Sequence, residues 1–331
     1  VWIMAYTDID KPSDYFETLT WSGNSTDDRA ISGLDFAPNW VWIKCRNNGQ
    51  NHNIFDTVRG ATESLESNNN NAENTDSTSL KSFTSDGYTL GTGSTVNSSS
   101  PSTKTYVGWN WKESATAGFD IVTYTGNQTA RTISHNLGAV PKMMIVKNRG
   151  TTGNWGIYHV GLGTANKRLE LDSNAAADTG TSVWNDTDPT SSVFSVGNND
   201  RITNGNGMTY VAYLFAEKKG YSKFGSYVGN GNVSGSYIHL GFKPAFVLLK
   251  HSSGGTDNWN LYDNKRLGYN ANYSFLIPNE SNAENTGATT APLDLLSNGF
   301  KIRASTGHSN SSGETYIYMA FAENPFTSSA G

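Results

Sequence analysis

A chain of 331 residues with 16% charged residues and a formal net charge of -5 carries no electrostatic footprint for nucleic acid or an anionic membrane. Its polar remainder is Ser, Thr, Asn and Gly, the chemistry of strands and turns on an extracellular or virion surface rather than of helices. The single cysteine, Cys45, has no disulfide partner within these residues and reads as a small core residue, and apolar runs such as Met143–Val146 are too short to span a bilayer.

The first residues, Val1–Asp8, line up with the last strand-like segment, Tyr316–Phe321 and the Ala322-Glu323 that follows it. They are therefore expected to be the closing strand of a preceding copy of a repeat. Three anchors define that repeat. A Gly-Asn pair stands at Gly23, Gly126 and Gly229, a proline at Pro38, Pro141 and Pro244, and a lysine at Lys44, Lys147 and Lys250, each offset by 103 residues. Between proline and lysine run Trp40–Ile43, Met143–Val146 and Ala245–Leu249, continuous apolar stretches that predict strands covered on both faces. Further on, Asn53–Asp56 answers to Gly156–His159 and Asn260–Asp263. Leu65 and Asn68 are aligned with Leu171 and Asn174, then with Leu276 and Asn279. The run Asn68–Asn71 reads as surface decoration. Each copy ends on an alternating aromatic strand, at Tyr106–Trp111, Tyr210–Phe215 and Tyr316–Phe321.

The expected organisation is a closing strand of a preceding module at 1–8, β-sandwich repeats at 9–113, 114–219 and 220–326, and a C-terminal tail at 327–331. The fold class is all-β, three tandem antiparallel β-sandwich modules. The paired cysteines of an immunoglobulin domain are missing, so a jelly-roll or lectin-like sandwich is preferred. The connectors, Glu113–Gly118 and Lys218–Gly220, are too short to act as flexible coils. The modules must pack on one another or form a stiff rod.

Motifs for chemistry are sparse. There is no nucleophile elbow, zinc-protease helix, P-loop or Cys-x-x-Cys. The carboxylate pairs Asp27/Asp28 and Asp186/Asp188 read as turn residues, and neither Asp186–Asp188 nor Asn198–Asp200 has the spacing of a calcium loop. No catalytic residue, metal site or cofactor is assigned, and the chain is expected not to be an enzyme. One cluster could hold a sugar: Phe55, Asp56 and Arg59 in the first copy, and Tyr262, Asp263 and Arg266 in the third, with Trp155, Tyr158 and Trp259 as further aromatic surfaces. Rings stack on apolar sugar faces while charged groups fix hydroxyls. The alternative is an internal Asp–Arg pair that pins a loop. In the second copy His159 and Leu162 replace the Asp and the Arg.

The segments Ala117–Asn127, Ile133–Gly138 and Pro141–Lys147 resemble a repeat family of marine bacteriophage virion proteins, described as structural or tail-fibre-like. Phe36–Pro38, Val41–Lys44, Val58–Gly60 and Met319–Phe326 are similar to further segments of that family. The resemblance implies a virion-surface protein whose partners are other virion proteins, with host-surface glycan as the candidate ligand of a fibre or appendage. A head or tail decoration protein with purely structural contacts is the alternative. Neither nucleic acid nor membrane insertion is expected. A homo-oligomer, in particular a trimer, is expected because fibres commonly use threefold symmetry.

Overall fold

The computed structural model describes residues 7–198, 201–287 and 291–325. Val1–Tyr6, Phe326 and the tail at 327–331 lie outside the described residues, so most of the expected leading strand does too. Thr7 and Asp8 are not in a strand; both bond to the carbonyl of Lys219, in the connector between the second and third repeats.

The regular structure of the described residues is nearly all antiparallel strand. In the first repeat one sheet runs in the order Phe16–Ser22, Thr105–Trp111, Trp40–Cys45, Asn53–Asp56, Gly60–Glu66, Asn74–Thr75. The second repeat copies it with Phe119–Thr125, Thr209–Ala216, Pro141–Asn148, Gly156–His159, Lys167–Glu170 and Asp178–Thr179. The third keeps the first four positions, with Ser222–Val228, Thr315–Pro325, Phe242–His251 and Asn260–Asp263. The registers also correspond. Phe16 faces Trp111, Phe119 faces Phe215 and Ser222 faces Phe321.

Each repeat also has a small sheet: Arg29–Ser32, Gly87–Leu90 and Leu80–Thr84; Arg131–Ser134 and Val193–Val196; Tyr237–His239, Gly299–Ile302 and Leu293–Leu296. First strand pairs with last and second with next-to-last, while the middle strands of the large sheet form hairpins.

The continuous apolar runs follow from two different cores. Along Trp40–Cys45, Trp40 and Trp42 enter one cluster shared by all three repeats, whereas Val41, Ile43 and Cys45 pack with Ile31, Leu80, Tyr88 and Leu90 of the small sheet. The same parity places Met143 and Ile145 inward with Met144 and Val146 outward, and Phe246 and Leu248 inward with Val247 and Leu249 outward. Successive strand residues point to opposite faces, so a strand covered on both sides has no polar position to alternate with.

The shared core is aromatic. The equivalent residues Trp111, Phe215 and Phe321 converge there, with ring centroids 5.6 Å apart for Trp111–Phe321 and 6.0 Å for Phe215–Phe321; Trp40 bridges Trp111 and Phe215 at 4.5 and 5.7 Å. Because this core takes side chains from every repeat, no repeat buries its large sheet alone. The repeats are packed in a closed cycle rather than a rod: the third returns to the first, where Ser67 Oγ donates to the Pro278 carbonyl at 2.8 Å.

Two anchors acquire a physical reason. A Cβ on Gly23, Gly126 or Gly229 would sit 2.1–2.2 Å from the carbonyl oxygen of Ser98, Gly205 or Ser311, so only glycine allows that approach. The following backbone N–H, on Asn24, Asn127 and Asn230, donates to the side chains of Asn97, Asn204 and Asn310. Pro141 and Pro244 lie at register shifts next to the closing strand, where a missing N–H costs no ladder bond.

Candidate functional site

The Asp–Arg pairs singled out from sequence lie at the junctions between repeats. In the first repeat the chain turns after Asn53–Asp56, and Asp56 Oδ1 accepts the backbone N–H groups of Val58 and Arg59 at 3.0 and 2.8 Å. Asp56 Oδ2 accepts Arg59 Nε and, from the second repeat, the Tyr213 hydroxyl at 2.7 Å. Arg59 then donates to Glu73 Oε2 at 2.7 Å, and Arg149 of the second repeat donates Nη2 to Glu73 Oε1 at 2.7 Å. The third repeat rebuilds the chain against the first. Asp263 Oδ2 accepts Arg266 Nε and Trp109 Nε1 (2.9 Å), Arg266 reaches Glu284 at 2.7 Å, and Glu284 accepts Arg46 Nε at 2.9 Å.

Both Asp–Arg pairs have no side-chain exposure. Burial alone would drive the Arg59 guanidinium toward neutrality. Tyr213, Asp56 and Glu73 beside it outweigh that and hold it charged.

The junction between the second and third repeats keeps the backbone and changes every member of the relay. Ala177 N donates to the Ser252 carbonyl at 3.1 Å, as Glu73 N does to Arg149 and Glu284 N to Arg46 at 2.9 and 2.6 Å. At this junction His159, Leu162, Ala177 and Ser252 stand where Asp, Arg, Glu and Arg stand elsewhere. The neighbour facing the acidic position changes with them. Tyr213 and Trp109 can donate to a carboxylate, but Met319 occupies the equivalent place in the closing strand and cannot. His159 instead donates Nε2–H to the Tyr318 carbonyl at 3.0 Å, and its Nδ1 accepts Gly161 N at 3.0 Å, an assignment fixed by the two partners. Burial pushes its pKa down to about 4, against the effect of the Tyr318 bond.

The lysine anchors serve the same junctions. Lys44 Nζ donates to the Ser281 carbonyl of the third repeat (3.1 Å), Lys147 to Asn70 of the first (3.4 Å), and Lys250 to Asn174 of the second (3.1 Å). All three are buried, which pushes each ammonium down to about 8. Trp155 Nε1 bonds the carbonyls of Glu66 and Asn69, and Trp259 Nε1 that of Glu170, each in the preceding repeat. The Asn68–Asn71 run is thus an interface as well as a surface. Its neighbourhood also corrects an alignment. His52 N, Trp155 N and Trp259 N donate to the side chains of Asn68, Asp172 and Asn279, so Leu65 corresponds to Leu169 and Asn68 to Asp172, not to Leu171 and Asn174.

All nine residues proposed from sequence for a sugar are buried. Phe55, Asp56, Trp155, Tyr262 and Asp263 show no exposure, and Arg59, Tyr158, Trp259 and Arg266 show at most 8%. Phe55, Tyr158 and Tyr262 fill the outer cores, and Trp155 and Trp259 the shared one. None offers a ring face to solvent, because an antiparallel sheet covered on both sides leaves these positions inside. The geometry is that of the internal pair that pins a loop, extended across a repeat boundary. Glu73, Arg149, Glu284 and Arg46 escaped the sequence reading, although the repeated Asn-Ala-Glu-Asn-Thr at 71–75 and 282–286 marks the two glutamates.

Each oxygen of Asp56 and of Asp263 already accepts two protein donors. Among the described residues, no group of three or more His, Cys, Asp or Glu is placed to hold a metal ion, and no helix is long and apolar enough to cross a membrane.

Fold and junctions define an all-β protein built from three sequence repeats closed on one core. Residues 11–325 match the family model described as "Domain of unknown function (DUF7483)", and the chain belongs to that family. The match runs through all three repeats as one unit, in keeping with the shared core. No curated protein and no solved structure matches the chain.

Proposed function

We propose that the chain is a non-enzymatic structural protein of a bacteriophage virion, a rigid element of a fibre or appendage on the particle surface. The observation that carries this reading is the use of the strongest polar chemistry inside the molecule. Both Asp–Arg–Glu–Arg relays and all three anchor lysines are spent on joining repeats, which suits a load-transmitting part better than a catalyst. The sequence resemblance to virion repeat proteins supplies the setting. In this reading other virion proteins and further copies of the chain are the partners. Each repeat is taken as a sandwich of jelly-roll type, supported by its nested first–last and second–penultimate strand pairs. Any contact with host glycan uses a surface other than the buried Asp–Arg clusters.

Immunogold electron microscopy of the encoding phage, with antibody raised against the chain, tests the proposal. Gold on purified particles, at an appendage, is the expected result. Unlabelled particles alongside abundant chain in the infected lysate would rule it out.

A further inference from the structure

The third repeat breaks the pattern of the other two at one place on the surface. Eight residues separate Asp56 from Leu65 and nine separate His159 from Leu169, but twelve separate Asp263 from Leu276. The longer segment carries Tyr269 and Tyr273. Where the first two repeats run a fifth strand of the large sheet, the third has this loop and isolated bridges, Leu261 to Leu276, Asn272 to Leu293 and Phe275 to Asn285. In repeat proteins, insertions confined to one copy map to loops that often form the binding face.

The loop walls a groove of about 250 Å³. Tyr269, 62% exposed, is one side; Lys243 and Glu323, an ion pair at 2.8 Å, are also in its lining, with Asn264 and Asn270. The loop is held in shape without a ligand. Asn270 donates Nδ2 to the Leu295 carbonyl and accepts Leu295 N, both at 2.9 Å, while Asn272 Nδ2 bonds the Asp263 carbonyl at 2.9 Å. Asn264 Oδ1 is shielded from solvent and has no hydrogen-bond partner within the chain. The groove therefore combines an exposed aromatic ring on a braced loop, the Asn264 side chain at its wall, and an ammonium–carboxylate pair that both donates and accepts.

We propose that this groove is a binding subsite for a neutral hexopyranose unit of a polysaccharide. A pyranose presents an apolar C–H face that lies on a ring and hydroxyls that donate and accept together. The ligand is neutral because Lys243 and Glu323 already compensate each other. The proposal builds on the virion-appendage reading by giving it a receptor contact, on a surface where the other repeats keep the glutamate, as Glu113 and Glu217, but have no counterpart of the Tyr269 loop.

The test is saturation-transfer NMR and titration calorimetry on the full chain, with methyl β-D-glucopyranoside and methyl β-D-galactopyranoside as probes. Transfer to the ring protons of at least one probe is expected, with weak millimolar affinity. Tyr269→Ala should weaken it about tenfold or more, Tyr269→Phe should restore it because the ring face makes the contact, and Tyr237→Ala, on an exposed strand outside the groove, should leave it unchanged. No transfer to either probe, or equal transfer in Tyr269→Ala, overturns the proposal. Either result would leave the virion reading standing, since that falls only with the immunogold experiment.

Discussion

Replacing Arg59 by leucine, the residue the second repeat uses at this position, tests whether the relays hold the junctions. In Arg59→Leu the Asp56 carboxylate, with no side-chain exposure, keeps Tyr213 and two backbone donors but loses its counter-charge; Glu73, 12% exposed, keeps Arg149. Breaking a buried pair from one side costs about 3–5 kcal/mol, since the remaining charge stays desolvated and uncompensated. Set against a typical total of about 5–15 kcal/mol, that is a large share of the stability. Equilibrium unfolding in urea, followed by fluorescence of the buried tryptophans, measures it. The double variant Asp56→Asn/Arg59→Leu keeps the acceptor for Val58 N and the backbone N of residue 59 but removes the stranded charge. It should be more stable than Arg59→Leu alone by at least about 1 kcal/mol. An Arg59→Leu protein within about 1 kcal/mol of wild type, or a double variant as destabilised as the sum of the single changes, would refute the reasoning.

Three further outcomes follow from named contacts. His159 is buried neutral with its pKa pushed down to about 4, so the unfolded chain binds the extra proton between that value and the ordinary 6.5. Its contribution is thus complete above pH 6.5 and lost as pH falls to 4, by about 3 kcal/mol; comparing urea stability of wild type and His159→Gln at pH 7 and pH 4 should show a shallower loss in the variant. Gly126→Ala forces a Cβ to 2.2 Å from the Gly205 carbonyl and should cost about 1–3 kcal/mol, while Gly49→Ala, whose nearest contact is 3.7 Å, should stay within about 0.5 kcal/mol by the same assay. Trp259→Phe keeps most of the apolar area but removes the indole donor to the Glu170 carbonyl, which retains Ser173 N at 3.4 Å, for a loss of about 1 kcal/mol and faster amide exchange in the Lys167–Glu170 strand.

The repeat, its strands and the burial of the central runs were legible because period-2 burial and the 103-residue offset are local properties of sequence. Closure of the repeats around one core was not. The parity that sends Trp40 and Trp42 one way and Val41 and Ile43 the other is the same whether the inward face meets a second sheet of its own module or two neighbouring repeats. The large size of the inward residues Trp111, Phe215 and Phe321 is the trace that closure leaves. The Asp–Arg pairs were found by spacing, yet an aromatic beside an ion pair has one composition in a sugar site and in a buried joint. Exposure decides between them, and exposure here depends on the partner repeat. The second repeat carried the missing clue: Asp, Arg and Glu disappear together at one junction, as members of one relay would. The Tyr269 loop, by contrast, is visible in sequence only once Leu276 has been matched to its counterparts and the extra length counted.

Closure itself is the central claim, and small-angle X-ray scattering tests it most directly. At concentrations where forward scattering reports a single 35.8 kDa chain, three repeats around one core predict a radius of gyration of about 20 Å. The same three repeats strung in a row, each of about 13 Å, would give roughly 30 Å. A value near 20 Å with a single-peaked, near-symmetric distance distribution is the predicted result; one near 30 Å with an extended tail would contradict the account.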